Sequence, residues 1–212
     1  TIGLPALGTT FVSCFGYIAF ARMVSGMGTT IFAAHSIAIT AEQIVYIPGY
    51  GLRVATSTLV GNALGEKDIR KLKATERVSI LITLLIMVVN GIGLYLFAYP
   101  FMRLFTNSVN AARIGSEMLR LVSFSEPFFG LMIVLEGISY GMGRTKHVFA
   151  CEAVSMWGIR IFGTFLCVNV FGLGLKAVWL CMIADNICKA ILLYIFRPKH
   201  VEENADDRGE LR

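Results

Sequence analysis

The chain has 212 residues and a net charge of +5, and 56% of its residues are hydrophobic while 16% are charged. Its mean hydropathy is +0.69, and charged or glycine-rich gaps divide the apolar sequence into six stretches of roughly bilayer length. This composition excludes a soluble globular domain. The chain is basic, but it has neither the basic helix nor the alternation of aromatic and basic residues that nucleic-acid binding uses. No nucleic-acid partner is therefore expected. The predicted fold is all-α, a polytopic membrane bundle of six transmembrane helices.

The six predicted spans are joined by short connections. They cover, to within a few residues, 2–21, 30–61, 78–101, 121–142, 148–168 and 177–196. The second span is longer than a bilayer needs, and Pro48-Gly49 in its middle is expected to kink it. The charged segment 65–73 is expected to open an interfacial helix. The predicted organisation is one six-helix lobe over 1–199, followed by a polar, disordered cytoplasmic tail at 200–212.

Lysine and arginine are unequally divided between the two ends of these spans. The side that holds both ends of the segment carries nine of them near the membrane: Lys67, Arg70, Lys71, Lys73, Arg77, Arg144, Lys146, Arg197 and Lys199. The opposite side carries five: Arg22, Arg103, Arg113, Arg120 and Lys176. The positive-inside rule therefore predicts that both ends are cytoplasmic.

Charged residues are costly inside a bilayer, at least about 2.5–3.5 kcal/mol each at its centre. Six lie well within the predicted spans: Glu42, Glu126, Glu136, Arg160, Asp185 and Lys189. They are expected to face the bundle interior, a water-filled cavity or one another. Asp185 and Lys189 are four residues apart on one helix face, which favours mutual neutralisation. These two residues and Arg160 are therefore assigned a structural role.

The three glutamates are the candidates for coupling or cation binding. Glu42 lies shortly before the Pro-Gly break, where a helix loses backbone hydrogen bonds and can line a cavity. A lone carboxylate there could bind a cation or a proton, and an ion pair with Arg160 or another interior base is the structural alternative. Glu126 precedes Pro127, where a kink is expected. Glu136 lies near the cytoplasmic end of its span, where it could simply reach water.

Aromatic residues and methionines follow the same helices. Such side chains can hold a flat, lipophilic cation by stacking and cation–π contact. Lipid-facing or packed side chains are the alternative explanation. The candidates for lining a cavity are Tyr46, Tyr50, Phe128, Phe129 and Met132.

The segment Gly137–Gly141 has the spacing G-x-x-x-G, which is typical of close helix contacts in membranes. It also matches G-x-S-x-G, which marks a nucleophile only on a strand–turn–helix and not within a membrane helix. An intramembrane serine protease would use Ser139 as the nucleophile and His35 or His147 as the base, but the predicted positions of these residues do not suggest a dyad. No catalytic residue, metal site or cofactor is predicted.

Motifs in several separate segments agree in order and spacing with one known family. They are Ala33–Glu42, Ile47–Gly51, Ala55–Gly65, Leu135–Gly137, Gly141–Lys146, Trp157–Arg160 and Asp185. Together they resemble the MATE (multidrug and toxic compound extrusion) transporters over residues 1–199. Members of that family have twelve spans in two six-helix lobes around a central cavity, and this chain resembles the second lobe alone.

The resemblance implies the C-terminal lobe of an antiporter in a prokaryotic inner membrane. Such a protein exports lipophilic, mostly cationic compounds in exchange for protons or sodium ions, as one lobe moves against the other. The implied partners are an N-terminal six-helix lobe missing from this chain, membrane lipids and small lipophilic cations. A flippase for lipids or lipid-linked sugars of the same superfamily is the alternative, and it predicts a strongly cationic cavity.

Two departures from the family pattern bear on the coupling ion. Sodium-coupled members carry acidic residues at about the positions of Ser13 and Phe129, and both are missing from this chain. Their loss disfavours a sodium site in this lobe and is compatible with proton coupling. Glu42 matches an acid that is common in many bacterial members, so the resemblance makes it the leading ionisable group.

Overall fold

The computed structural model describes residues 3–196, and it describes side chains from residue 7 onward. Within that range the chain forms helices and no strands, which confirms the all-α prediction. Among these residues five helices are long and apolar enough to cross a membrane, and a bent helix pair makes a sixth span when its two helices are counted as one. The tail predicted at 200–212 lies outside the described residues.

Residues 3–196 form seven helical segments in chain order. They are α1 Gly3–Ser25, α2 Thr29–Gly65, α3 Ile69–Phe105, α4 Val109–Ser123, α5 Glu126–Gly141, α6 Thr145–Val170 and α7 Leu175–Ile195. Helix α2 continues through Pro48 without interruption. Helix α6 contains two π-helical stretches, Met156–Ile161 and Leu166–Val170.

Helix α3 starts well before the span predicted from hydropathy. Its first residue is Ile69 instead of Val78, so the charged segment expected to form an interfacial helix is continuous with the span. The side chain of Asp68 caps this start, because its Oδ1 accepts a hydrogen bond from the backbone N–H of Lys71 at 3.0 Å. With 37 residues, α3 is about 55 Å long and extends beyond a bilayer core.

The span predicted at 121–142 is a broken helix. Helices α4 and α5 meet at an angle of 60°, and Pro127 lies in the first turn of α5. Proline is tolerated in a first turn because its missing N–H would have no partner inside the helix. The kink expected at Pro127 is therefore a complete break, and the span begins at Val109.

Helices α2 and α5 approach each other closely along the glycines of the G-x-x-x-G segment. A Cβ atom at Gly137 would lie 2.7 Å from the backbone oxygen of Arg53, and one at Gly141 would lie 2.5 Å from that of Ser57. Only glycine fits these positions, so the prediction of a close helix contact is confirmed. The buried core extends from this seam, around Phe129 and Ile133, to a second cluster around Trp179.

Candidate functional site

A cavity of about 210 Å³ lies among α1, α2, α5, α6 and α7. Six of the residues predicted to be functional line it: Glu42, Tyr46, Tyr50, Phe129, Met132 and Glu136. Glu126 and Phe128 are not among the lining residues. Successive residues of a helix point about 100° apart, so Phe128 lies on a different face of α5 from the buried Phe129, and 45% of its surface is exposed.

One stripe of α2 supplies the acidic and aromatic part of this cavity. Glu42, Tyr46 and Tyr50 are four residues apart, so their side chains lie above one another on one helix face. The Tyr46 hydroxyl donates a hydrogen bond to Oε1 of Glu42. The Tyr46 ring stacks on Phe129 at a centroid distance of 3.7 Å, and Tyr50 meets the same ring edge-on at 6.1 Å. The stripe therefore joins a buried carboxylate to a three-ring aromatic cluster.

The basic residues of the cavity each contact an acid on another helix. Arg53 Nη1 lies 3.0 Å from Glu136 Oε2, and Lys189 Nζ lies 2.6 Å from Glu152 Oε2. The Ser13 hydroxyl donates a hydrogen bond to Oε1 of Glu152 at 2.7 Å. Glu136, for which the sequence left open a position in water, is buried beside the cavity and paired with Arg53 where α2 and α5 pack closely at Gly137.

The predicted i, i+4 ion pair of Asp185 and Lys189 is present, but each of the two residues has a closer partner on α6. Lys189 Nζ is 4.0 Å from Asp185 Oδ2 and much closer to Glu152. Asp185 instead lies 2.9 Å from Nε of Arg160 and accepts a hydrogen bond from the hydroxyl of Ser155. The closer partners of Lys189 and Asp185 are Glu152 and Arg160 on the facing helix α6. Side chains from two facing helices can approach more closely than two side chains spaced i, i+4 along one helix.

Glu42 differs from the other acids of the cavity. Among residues 7–196, no lysine or arginine nitrogen lies within 4.0 Å of its carboxylate. The ion pair with Arg160 that the sequence left open is not formed, since Arg160 contacts Asp185. Glu42 is 3% exposed and faces the cavity with Tyr46 as its hydrogen-bond donor. It is thus the one cavity acid in the described part of the chain without a basic partner.

Three residues of this site are not among the candidates predicted from the sequence. They are Arg53, Glu152 and Ser13, whose hydroxyl donates a hydrogen bond to Glu152. Glu152 and Arg53 are charged residues inside predicted spans, and this feature of the sequence could have identified them as candidates. Their partners are distant in sequence, so periodicity within one helix could not pair them.

The residues of the protease alternative are not brought together. The Ser139 hydroxyl donates to the backbone oxygen of Leu135 in its own helix at 2.8 Å. His35 accepts a hydrogen bond from the Trp179 indole at 3.2 Å, and His147 lies 3.8 Å from the sulfur of Cys151. Within the described residues, neither histidine forms a hydrogen bond with Ser139.

Comparison with known proteins identifies the family. The model of the MatE family matches residues 5–166, which is more than half of the chain. This chain belongs to the MATE family. The resemblance noted in its motifs is confirmed.

Related proteins and structures match this chain over about half of their own length. The "Probable multidrug resistance protein NorM" of Thermotoga maritima is 30% identical over 197 residues, which is 92% of this chain and 42% of that protein. A MATE crystal structure in the straight conformation superposes with a TM-score of 0.86 at 20% identity, covering 96% of this chain and 46% of the other. A MOP superfamily transporter from Pyrococcus furiosus gives 0.85 at 20% identity, covering 94% and 45%. These structures show the shared fold, and the chain spans about half the length of the curated relatives it matches.

Proposed function

We propose that this chain is the C-terminal lobe of a cation-coupled multidrug efflux antiporter that exports lipophilic, mostly cationic compounds. Its membership in the MATE family and the multidrug resistance name of its relatives support this function. The coverage of about half of each relative supports an N-terminal six-helix lobe as its partner. The antiporter lies in the inner membrane with both ends of this segment in the cytoplasm, as the positive-inside rule suggests.

The observation that carries this proposal is the unpaired acid beside the aromatic cluster. Around the cavity, the bases Arg53, Arg160 and Lys189 each contact an acid, and the Glu42 carboxylate has no basic partner among the described residues. A carboxylate next to stacked rings favours a flat organic cation, which gains both charge attraction and cation–π contact. The cavity therefore selects for positive charge.

The size of the cavity suggests that this lobe forms only part of the binding site. Drug-sized ligands occupy pockets of about 300–1,000 Å³, whereas this cavity measures about 210 Å³. In the proposed transporter, the second lobe supplies the remaining wall. Movement of one lobe against the other then exposes the site to each side of the membrane in turn.

Antiport follows if the substrate and the coupling ion exclude each other at Glu42. A cationic substrate binds the ionised carboxylate, and a proton or a sodium ion at the same group removes the charge that the substrate needs. The substrate and the coupling ion then each stabilise a different state of the transporter. Each of them can shift the equilibrium between those states only by the difference between its affinities for the two. Loss of substrate on one side and loss of the coupling ion on the other complete the exchange.

A flippase for lipids or lipid-linked sugars would need bases free to bind phosphate. The basic residues of this cavity are already engaged by carboxylates within the described part of the chain. The related Pyrococcus furiosus transporter has a binding pocket of reversed polarity that suggests a different function for that protein. The pairing seen in this chain favours the antiporter.

The test is accumulation of a fluorescent dye in cells that lack other efflux pumps and express this protein from its native gene. Ethidium, a flat cation, is compared with an anionic dye of similar size. We expect ethidium alone to be excluded, with exclusion abolished by a protonophore if protons couple and by a sodium ionophore if sodium couples. Equal accumulation of ethidium with and without expression would contradict the proposal.

A further inference from the structure

Glu126 is fully buried at the break between α4 and α5. Its exposed fraction is 0%, and neither of its carboxylate oxygens has a hydrogen-bond partner among the described residues. It does not line the cavity that contains Glu42. An ionised carboxylate in such surroundings costs several kcal/mol unless an opposite charge or hydrogen-bond donors compensate for it. A buried acid without them is neutral instead.

Helix α3 covers the side chain. Thr83, Met87 and Gly91 are four residues apart and share one face of α3. A Cβ atom at Gly91 would lie 3.1 Å from the Cβ of Glu126 and 2.7 Å from the backbone oxygen of Ser123. Glycine at position 91 therefore lets α3 close directly over the break, and no charged side chain of this stripe reaches the acid.

The other charged groups near the break do not compensate for a negative charge on Glu126. Glu42 on α2 is an acid, so its charge has the same sign as that of an ionised Glu126. Tyr46 on α2 is already bonded to Glu42. On α4, Glu117 is paired with Lys176, and Arg120 at the last turn is exposed. Among the described residues, none of these groups therefore stabilises an anion at Glu126.

We infer that Glu126 is a proton-binding site at the break between α4 and α5, occupied in the described conformation and emptied when the break opens. Opening the break admits water, which can solvate the anion that the described packing leaves without a hydrogen-bond partner. Proton release is thereby tied to a change in the 60° bend. The release step depends on the proposed antiport function, whereas the bound proton does not.

Infrared spectroscopy of the purified protein, expressed from its native gene, tests the bound proton. A protonated carboxylic acid has a carbonyl-stretch band separate from that of a carboxylate, and the band shifts in heavy water. At neutral pH we expect the Glu126→Gln variant to lose the intensity of one such acid per chain relative to the unmodified protein. Glu66→Gln is the matched control, because this exposed glutamate pairs with Lys71 and should leave the band unchanged.

The measurement separates this inference from the proposed function, since it needs no transport. Glu42→Gln shows how much of the band belongs to the cavity acid, and the Glu126 component should survive that substitution. An unchanged band in Glu126→Gln overturns the inference. If Glu126→Gln does not fold, the Glu42→Gln variant is measured instead. The absence of any protonated-acid band from Glu42→Gln at neutral pH would also overturn the inference. Loss of the Glu126 component in sodium chloride but not in choline chloride would show that the site takes sodium, and would also overturn it.

Discussion

Removing the charge of Lys189 should destabilise the lobe more than any equivalent change at its surface. Lys189 and Glu152 are in contact at 2.6 Å, and their side chains are only 8% and 9% exposed. The substitution Lys189→Met keeps the length of the side chain but leaves Glu152 buried without its base. Breaking a buried pair in this way costs about 3–5 kcal/mol. At about 2–4 °C per kcal/mol for a chain of this size, the unfolding midpoint should fall by about 6–20 °C.

The matched control is an ion pair of the same chemistry and length at the surface. Lys71 Nζ lies 2.6 Å from Glu66 Oε2, but these side chains are 50% and 53% exposed. Lys71→Met should therefore cost at most about 1 kcal/mol. Thermal unfolding in detergent, followed by circular dichroism, measures both variants. The double variant Lys189→Met/Glu152→Gln should recover part of the loss, because no buried charge is left unpaired. Equal midpoints for Lys189→Met and Lys71→Met would refute the reasoning.

Two further stability predictions use the same assay. Gly137→Ala should lower the free energy of unfolding by about 1–3 kcal/mol through overpacking, because its Cβ would lie 2.7 Å from a backbone oxygen of α2. Gly93→Ala on α3 is the control. Its Cβ would meet no atom within 4 Å, so it should not lower the free energy of unfolding. Trp179→Phe should cost about 1–3 kcal/mol, because it leaves the buried acceptor of His35 unsatisfied. Trp157→Phe is its control, since Trp157 is 44% exposed, and equal losses in either pair would contradict the contacts described.

Hydropathy predicts the membrane helices of this chain because a bilayer imposes length and apolarity on every span. It misplaces the start of α3, since the cap at Asp68 extends the helix through a charged segment that hydropathy excludes. It also misses α4, whose Arg113, Glu117 and Arg120 make it amphipathic instead of uniformly apolar. Hydropathy therefore does not predict two features of this fold: a helix start that is set by a cap, as at Asp68, and an amphipathic helix such as α4.

The sequence identifies most acids of the candidate site but not their partners. Glu42 and Glu136 are recognisable as charges within spans, and both line the cavity. The distinction between them depends on which base lies opposite, and that is decided by the approach of α2 to α5 at Gly137. Only the assembled helices show that Glu136 is paired with Arg53, while Glu42 has a tyrosine as its hydrogen-bond partner.

The most direct test of the central claim is ethidium efflux by the Glu42→Gln variant. Glutamine keeps the shape of the side chain and removes its charge, so the aromatic cluster of Tyr46 and Phe129 should stay in place. We expect loss of ethidium export at normal expression in the membrane, with Glu66→Gln exporting as well as the unmodified protein. Unchanged export by Glu42→Gln, with its dependence on pH intact, would contradict the claim that this carboxylate binds the exported cation and the coupling ion.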